Sequence, residues 1–170
     1  MMHDMIAKLA NTARYTPEGL EIALDLHTTV RPPIPWNQRT IEQRLHVVLP
    51  PDLQTLWNNA AEVRLFEDMT YGQWGLVLLS SVDAISQTLA FRDERSRDVL
   101  DGDVVIGIFL GDLELLVVRC DVAASDYGKV IVAREIDHRI QWPIASDSLT
   151  TFIATFIEHD GVKYWETPAQ

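Results

Sequence analysis

The chain has 170 residues, of which 47% are hydrophobic and 23% are charged. This size and composition are typical of one soluble globular domain, which buries about 70% of the surface of its unfolded chain. The 14 Lys and Arg residues are outnumbered by 25 Asp and Glu residues, so the formal net charge is −11. That charge argues against a protein that tracks nucleic-acid phosphates or docks on an anionic membrane, because both tasks need a basic surface. The single cysteine excludes a disulfide within the chain and a zinc site built from several cysteines.

No targeting or membrane-spanning segment is predicted. Asp4 and Lys8 interrupt the first eleven residues, which therefore lack the basic start and unbroken apolar run of a signal peptide. The most apolar stretch, Val104–Val118, contains two glycines and two acidic residues and is too short to cross a bilayer. We therefore expect a cytoplasmic protein.

The N-terminal part shows two helical signals before a proline-rich connector. Apolar residues at helical spacing predict a short helix over residues 2–12. Thr16 followed by proline is typical of a helix start, and predicts a helix that continues to about Leu26. The prolines of residues 31–35 fix an extended connector, so we describe residues 1–39 as an N-terminal extension.

Two further helices are predicted next. Thr40 and Gln43 match a capping box, in which each side chain bonds to a backbone donor of the other residue. The helix that they begin ends near residues 49–52, where two prolines and an aspartate begin another helix. Leu53 and Trp57 share one face of this second helix, and that face must pack against an apolar surface.

From residue 61 onward the pattern changes to short apolar strands. We predict strands over residues 63–67, 75–79, 104–110, 113–119, 129–133 and 139–142. Gly111-Asp112 predicts a tight two-residue turn between the third and fourth of these. A helix over residues 82–91, capped by Ser80 or Ser81, interrupts the strands. The strongest helical pattern covers residues 149–157, behind a cap at Ser146 or Asp147.

Helices followed by a run of strands and a closing helix favour an α+β fold. The links between strands are too short for the crossover that parallel strands require, so they favour antiparallel pairing. We expect an antiparallel or mixed sheet of about five to six strands with helices packed on one face. The α+β domain covers residues 40–160 and residues 161–170 form a C-terminal tail, and we treat the whole chain as one compact domain.

Four segments carry a family resemblance. They are Ile41-Glu-x-Arg-Leu45 with Leu49-Pro50-x-Asp52-Leu53, Trp57-Asn58-Asn59, Gly111-Asp112 to Asp121 with Tyr127-Gly128-Lys129-Val130, and Ile144-Ala145-x-Asp147-Ser148-Leu149-x-x-Phe152-Ile153. In their order and spacing, they resemble the SUKH superfamily, the domain of fungal cell-wall-synthesis regulators and of many bacterial toxin-immunity proteins. The resemblance implies an α+β domain that binds another protein and has no catalytic residues to transfer.

The acidic residues lie mostly in the C-terminal two-thirds of the chain, because residues 1–60 have a net charge of only −1. Such a surface complements a basic partner, for example a nuclease toxin, and speeds the encounter with it. The candidate protein-binding surface combines carboxylates with aromatic residues that could anchor an interface: Glu67, Asp68, Tyr71, Trp74, Asp93, Glu94, Asp98, Asp101 and Asp103. We expect a non-enzymatic module without a cofactor or metal.

Two alternative functions stay open. Glu135 and His138, with Asp137 between them, could provide general acid–base catalysis in a small hydrolase if their side chains converge in a pocket. A homo-oligomeric structural protein could instead form by pairing of sheet edges. The acidic loop before residue 103 lacks the spacing of a calcium-binding EF-hand, and we interpret it as solvated. Cys120 ends an apolar strand and is interpreted as a core residue.

Overall fold

The computed structural model describes residues 1–9 and 25–166. Its centre is a seven-stranded sheet in which each strand pairs antiparallel with the next along the chain. The strands are β1 (Leu26–Val30), β2 (Val63–Asp68), β3 (Leu76–Leu78), β4 (Asp103–Phe109), β5 (Leu115–Arg119), β6 (Val130–Ala133) and β7 (Ile144–Ser146). The α-helices are α1 (Met2–Leu9), α2 (Gln38–Leu45), α3 (Pro51–Asn59), α4 (Ser81–Glu94) and α5 (Leu149–Glu158). Short 3-10 helices cover Arg139–Gln141 and Tyr164–Glu166.

The α+β class and the antiparallel sheet are confirmed, with seven strands in place of the five to six expected. The additional strands are the two outer ones, β1 and β7, which are held by one neighbouring strand each. Most of the helix predicted to continue to about Leu26 lies outside the described residues, but Leu26 itself begins β1. The Thr-Thr-Val sequence of β1 is β-branched, which favours a strand.

Helices cover both faces of the sheet, which corrects the expectation of helices on one face. On one face, Phe156 of α5 contacts Phe109 of β4, with ring centroids 6.2 Å apart. Neighbouring residues of a strand point to opposite faces, so Ile108 lies on the other side, where it lines a groove with Phe91 of α4. Thr88 of α4 also accepts a hydrogen bond from the backbone nitrogen of Val105, at 2.9 Å.

This double cover explains the composition of the central strands. Val104, Val105 and Ile106 of β4 are all fully buried, as are Leu116, Val117 and Val118 of β5. A strand with helices on both faces reads as a continuous apolar run rather than as an alternation of apolar and polar residues. The most apolar stretch of the sequence, Val104–Val118, therefore forms the middle of the sheet.

Three of the helices, α2, α4 and α5, begin at side-chain caps, and not all of these caps are the predicted ones. Ser80 caps α4 as predicted, since its hydroxyl accepts from the backbone nitrogen of Asp83 at 3.1 Å. Asn37, rather than Thr40, caps α2, and its side chain accepts from the Thr40 nitrogen at 2.9 Å. Ser148 takes the same role for α5, in place of Ser146 or Asp147. Asn and Ser both accept well at this position, so the patterns located the helix starts only to within a few residues.

The predicted strand over residues 139–142 is wrong, because Arg139–Gln141 forms a 3-10 helix. Its conformation is set by contacts with distant residues: the Arg139 backbone nitrogen bonds to Asp98, and its guanidinium bonds to Asp103. The predicted two-residue turn at Gly111-Asp112 is also longer than expected, since β4 and β5 are joined by residues 110–114.

Candidate protein-binding site

The predicted surface residues near β2 form a self-contained turn. Asp68 is buried, and its carboxylate accepts hydrogen bonds from the backbone nitrogens of Thr70, Tyr71 and Gln73, at 2.9, 3.2 and 3.3 Å. Burial alone would raise the pKa of Asp68, but these three donors hold it below its usual value. Asp68 therefore shapes the turn rather than facing a partner, which corrects its assignment to the binding surface.

The other residues around this turn differ in exposure. Tyr71 is well exposed, and its ring is available to a partner. Glu67 forms an ion pair with Arg64 at 2.5 Å. Trp74 is half-buried against the core, and its indole nitrogen has no hydrogen-bond partner among the described residues. Of this group, Tyr71 is the residue that matches the predicted role best.

Asp103 is not a surface residue. Its side chain is fully buried at the start of β4, where Oδ1 lies 2.9 Å from Nη1 of Arg119 and Oδ2 contacts Nη1 of Arg139. Burial would lower the pKa of Arg119, but the carboxylates of Asp103 and Asp126 raise it above its usual value. The interpretation of this end of the acidic loop as solvated is therefore wrong, because two arginines from distant segments enclose Asp103.

Asp98 is also held inside the protein. Its carboxylate accepts from Nε and Nη2 of Arg95, at 3.1 and 2.9 Å, and from the backbone nitrogen of Arg139 at 3.2 Å. The Nδ1 atom of His138 lies 3.2 Å from Oδ1, the oxygen that also accepts from the Arg139 nitrogen, whereas Arg95 donates to Oδ2. The Arg95 and Arg139 donors lower the pKa of Asp98 to about 2. Asp98 thus serves to anchor residues 138–139 rather than to face a partner.

Arg95 holds a loop that projects from the sheet. This segment, the 134–142 loop, follows β6 and includes the first 3-10 helix. The Arg95 guanidinium donates to three backbone carbonyls of the loop: those of Arg134, Glu135 and Asp137, at 3.3, 2.5 and 2.6 Å. Ile136 and Ile140 are 91% and 95% exposed. The loop therefore presents two large apolar side chains to solvent from a backbone that is fixed by charged hydrogen bonds.

A groove with a volume of about 370 Å³ runs between α4 and the sheet, next to the 134–142 loop. We call it the α4 groove; it is lined by Gln87, Phe91, Glu94, Arg95, Ile108, Leu113, Leu115, Ala133, Arg134 and Glu135. Half of these residues are apolar. Of the predicted surface residues, only Glu94 belongs to the groove. The sequence contained no signal for the rest, because the groove joins β4, β5 and β6 to a helix that precedes them.

Most cations of the acidic part of the chain are already partnered. Eight of the nine Lys and Arg residues after residue 60 form ion pairs with carboxylates or donate hydrogen bonds to backbone carbonyls: Arg64, Arg92, Arg95, Arg119, Lys129, Arg134, Arg139 and Lys163. The side chains of Asp93, Glu94, Asp101 and Glu135 are exposed and have no hydrogen-bond or ion-pair partner within the described part of the chain. The unneutralised charge thus lies partly on the rim of the α4 groove, at Glu94 and Glu135.

The two residues of the alternative hydrolase have separate surroundings. His138 is 81% exposed in its side chain, and its nearest acidic partner is Asp98 rather than Glu135. Glu135 lies on the groove rim, where its side chain faces solvent. Cys120 is buried, which confirms it as a core residue, and burial raises the pKa of its thiol. The thiolate form is therefore disfavoured.

Within residues 1–9 and 25–166, no group of three or more His, Cys, Asp or Glu side chains is arranged to hold a metal ion. Among the same residues, no helix combines the length and apolar character needed to cross a membrane. Comparison of the sequence with known protein-family models and with curated proteins gives no match.

Proposed function

We propose that this chain is a non-enzymatic module that binds and neutralises a basic protein, in the manner of a bacterial toxin-immunity protein. The observation that carries the proposal is the set of exposed carboxylates without internal partners at the end of α4 and on the 134–142 loop. The order of the elements, which resembles the SUKH superfamily, supports the same function class. The expected partner is a cationic protein such as a nuclease toxin, and the expected place of action is the cytoplasm.

The charge distribution favours rapid capture of such a partner. A surface with excess negative charge attracts a basic protein over distances of about 10 Å at moderate salt, and this raises the association rate. Because Glu94 and Glu135 form no ion pair among the described residues, a partner's Lys or Arg does not have to displace an existing one. A partner therefore binds Glu94 and Glu135 more easily than it would bind Asp98 or Asp103, whose ion pairs with arginines would first have to break.

The 134–142 loop supplies an apolar surface to accompany the charges. Ile136 and Ile140 are almost completely exposed, whereas interfaces bury such side chains at their centre. Arg95 already fixes the loop through three hydrogen bonds to carbonyls, so little conformational entropy remains to be lost on binding. Fixed apolar side chains beside unpaired carboxylates are well suited to a protein partner that is both basic and apolar at its binding surface.

The test is capture of partners from the native cell with the full chain as bait, followed by kinetics on each purified partner. We expect a basic protein whose association rate falls as salt rises, and whose toxicity is relieved when the chain is co-expressed with it. The double change Asp93→Asn with Glu94→Gln should slow association several-fold at low salt. Glu158→Gln, an exposed acid at the end of α5 on the other face of the sheet, is the control for total charge.

Two outcomes would contradict the proposal. One is that all the stable partners associate at rates that do not depend on salt. The other is that Glu158→Gln slows association as much, per charge removed, as the change at Asp93 and Glu94. The association rate would then depend on total charge and not on the carboxylates at the end of α4.

A further inference from the structure

We propose that the α4 groove receives a basic segment of the partner protein, with one large apolar side chain in the groove and Lys or Arg residues on either side. This inference rests on the proposed function and specifies where and how the partner is held. It makes Leu113 an apolar contact at the groove mouth and Glu94 and Glu135 the groups that recognise the flanking cations.

The groove is large enough, and apolar enough, to receive a large side chain. Its volume of about 370 Å³ lies within the range of small-molecule binding pockets, and Phe91, Ile108 and Leu115 contribute apolar walls. A leucine or aromatic side chain that entered it would leave water for an apolar surface, which is the main favourable contribution at interface centres.

The charges around the groove favour a cationic rather than an anionic flank. Two arginines also line it, but Arg95 is bonded to Asp98, and Arg134 lies 3.5 to 3.7 Å from the carboxylates of Glu114, Asp137 and Glu166. Their charges are therefore compensated within the chain. Among residues 1–9 and 25–166, Glu94 and Glu135 have no such compensation, so the groove presents net negative charge to an incoming segment.

Leu113 provides a separate indication that the groove mouth is used. Its φ is 58°, in the left-handed region that bulky residues adopt at an energetic cost, and the residue is 63% exposed. Lys163 fixes this conformation by donating to the flanking carboxylates of Asp112 and Glu114. A glycine or asparagine would fit this backbone better. Burial within the chain does not offset the cost of the leucine, whereas burial against a partner would.

A second copy of this chain is a poorer occupant. The chain carries a net charge of −11, so two copies repel each other, and a groove-to-groove contact would bring Glu94 and Glu135 of both copies together. The occupant to which we commit is therefore a cationic segment of a different protein, and self-association is one of the outcomes that the experiment detects.

The experiment uses the full chain and a short fluorescein-labelled peptide with one leucine flanked on both sides by lysines and arginines. Binding is followed by fluorescence anisotropy and located by NMR amide shifts. We expect the shifts to centre on the groove. Replacing the peptide's leucine by serine, or its cations by glutamates, should abolish measurable binding. Leu113→Gly should lower the affinity on the order of 10-fold, because the bound peptide can then no longer cover the Leu113 side chain at the groove mouth.

Matched variants separate the groove from general charge attraction. Glu94→Gln with Glu135→Gln should weaken binding by about 5-fold at low salt, with the difference vanishing at high salt. Val122→Ala is the control for Leu113→Gly, because Val122 is 61% exposed and follows the opposite end of β5. It should change the affinity by less than about twofold. Leu113→Asn is a second variant that fits the left-handed backbone, should Leu113→Gly not fold.

The inference is overturned if the peptide does not bind, if the serine peptide binds equally well, if the amide shifts lie elsewhere, or if Leu113→Gly and Val122→Ala have equal effects. Concentration-dependent sedimentation of the chain alone, abolished by Leu113→Gly, would assign the groove to self-association instead. In each case a captured basic protein with salt-dependent association still supports the proposed function, so failure of the groove and failure of the function remain distinguishable.

Discussion

Two groups of carboxylates lie close together in the sequence and have opposite roles. Asp98 and Asp103 face arginines inside the protein, whereas Asp93, Glu94 and Asp101 face solvent without a partner among the described residues. The members of both groups alternate within eleven consecutive residues, so composition alone cannot separate them. The difference teaches that an acidic stretch contains both structural and recognition residues, and that the positions of the arginines decide which is which.

The largest effect should come from Asp103. Changing Asp103→Ala leaves Arg119 and Arg139 without their common carboxylate, and Arg119 is almost fully buried. Loss of one partner of a buried ion pair costs about 3–5 kcal/mol of unfolding free energy. Urea denaturation followed by circular dichroism measures this cost. The control Asp101→Asn, two residues earlier and exposed, should change stability by less than about 0.5 kcal/mol; similar losses for both variants would erase the distinction between the two groups.

Arg95 should be the next most sensitive position. Arg95→Met keeps most of the aliphatic stem but removes the donors to the 134–142 loop and leaves Asp98 without its closest cation. We expect a loss of about 2 kcal/mol, from hydrogen bonds to charged groups, and faster amide hydrogen exchange across the loop. Arg97→Met, at an exposed arginine of the same segment, is the matched control. Unchanged exchange in the loop would mean that Arg95 does not hold it.

A helix or strand was predictable where its own segment carries the apolar pattern of that element. The apolar runs of β4 and β5 and the stripe of α5 identified these elements correctly, because burial requires that pattern whatever the partner strand is. The outer strands and the 3-10 helix at Arg139 were missed. Those segments are short and partly exposed, and their conformation depends on contacts with residues far away in the sequence.

The site was predictable only in part, for the same reason. The acidic character of the region was evident, but the burial of Asp103 depends on Arg119 and Arg139, which lie 16 and 36 residues later. The α4 groove similarly combines Phe91 with residues of three later strands. Leu113 gave no signal at all, because a left-handed φ at a leucine follows from the loop geometry and not from its type.

Asp98 should link stability to pH. The Arg95 side chain and the Arg139 backbone lower its pKa from the usual 3.8 to about 2 in the folded protein. Because the folded state favours the ionised form, Asp98 contributes stability above about pH 4, and this contribution is lost as the pH falls towards 2. The urea midpoint of Asp98→Asn should therefore fall less steeply over that range than that of the unchanged chain.

The exposed group supplies the comparison. Asp93→Asn should change the unfolding free energy at neutral pH by less than about 0.5 kcal/mol, since its carboxylate has no partner within the described part of the folded protein. The pKa values of Asp4 and Asp68 are also lowered, so both carboxylates contribute to the slope that remains after Asp98→Asn. Equal slopes for Asp98→Asn and the unchanged chain would show that the Arg95 contact does not favour the ionised form.

The smallest expected effect, and the one that best separates structure from recognition, is that of Leu113→Gly on stability. Glycine adopts the left-handed backbone without strain, which raises the free energy of unfolding by about 1 kcal/mol. The greater freedom of glycine in the unfolded chain lowers it by roughly 0.5 kcal/mol. Thermal denaturation should therefore give a midpoint that is unchanged or slightly raised. A loss of more than about 1 kcal/mol would mean that the leucine contributes to the packing of this chain. A midpoint that is preserved while peptide binding weakens would mean that the leucine is kept for contact with a partner.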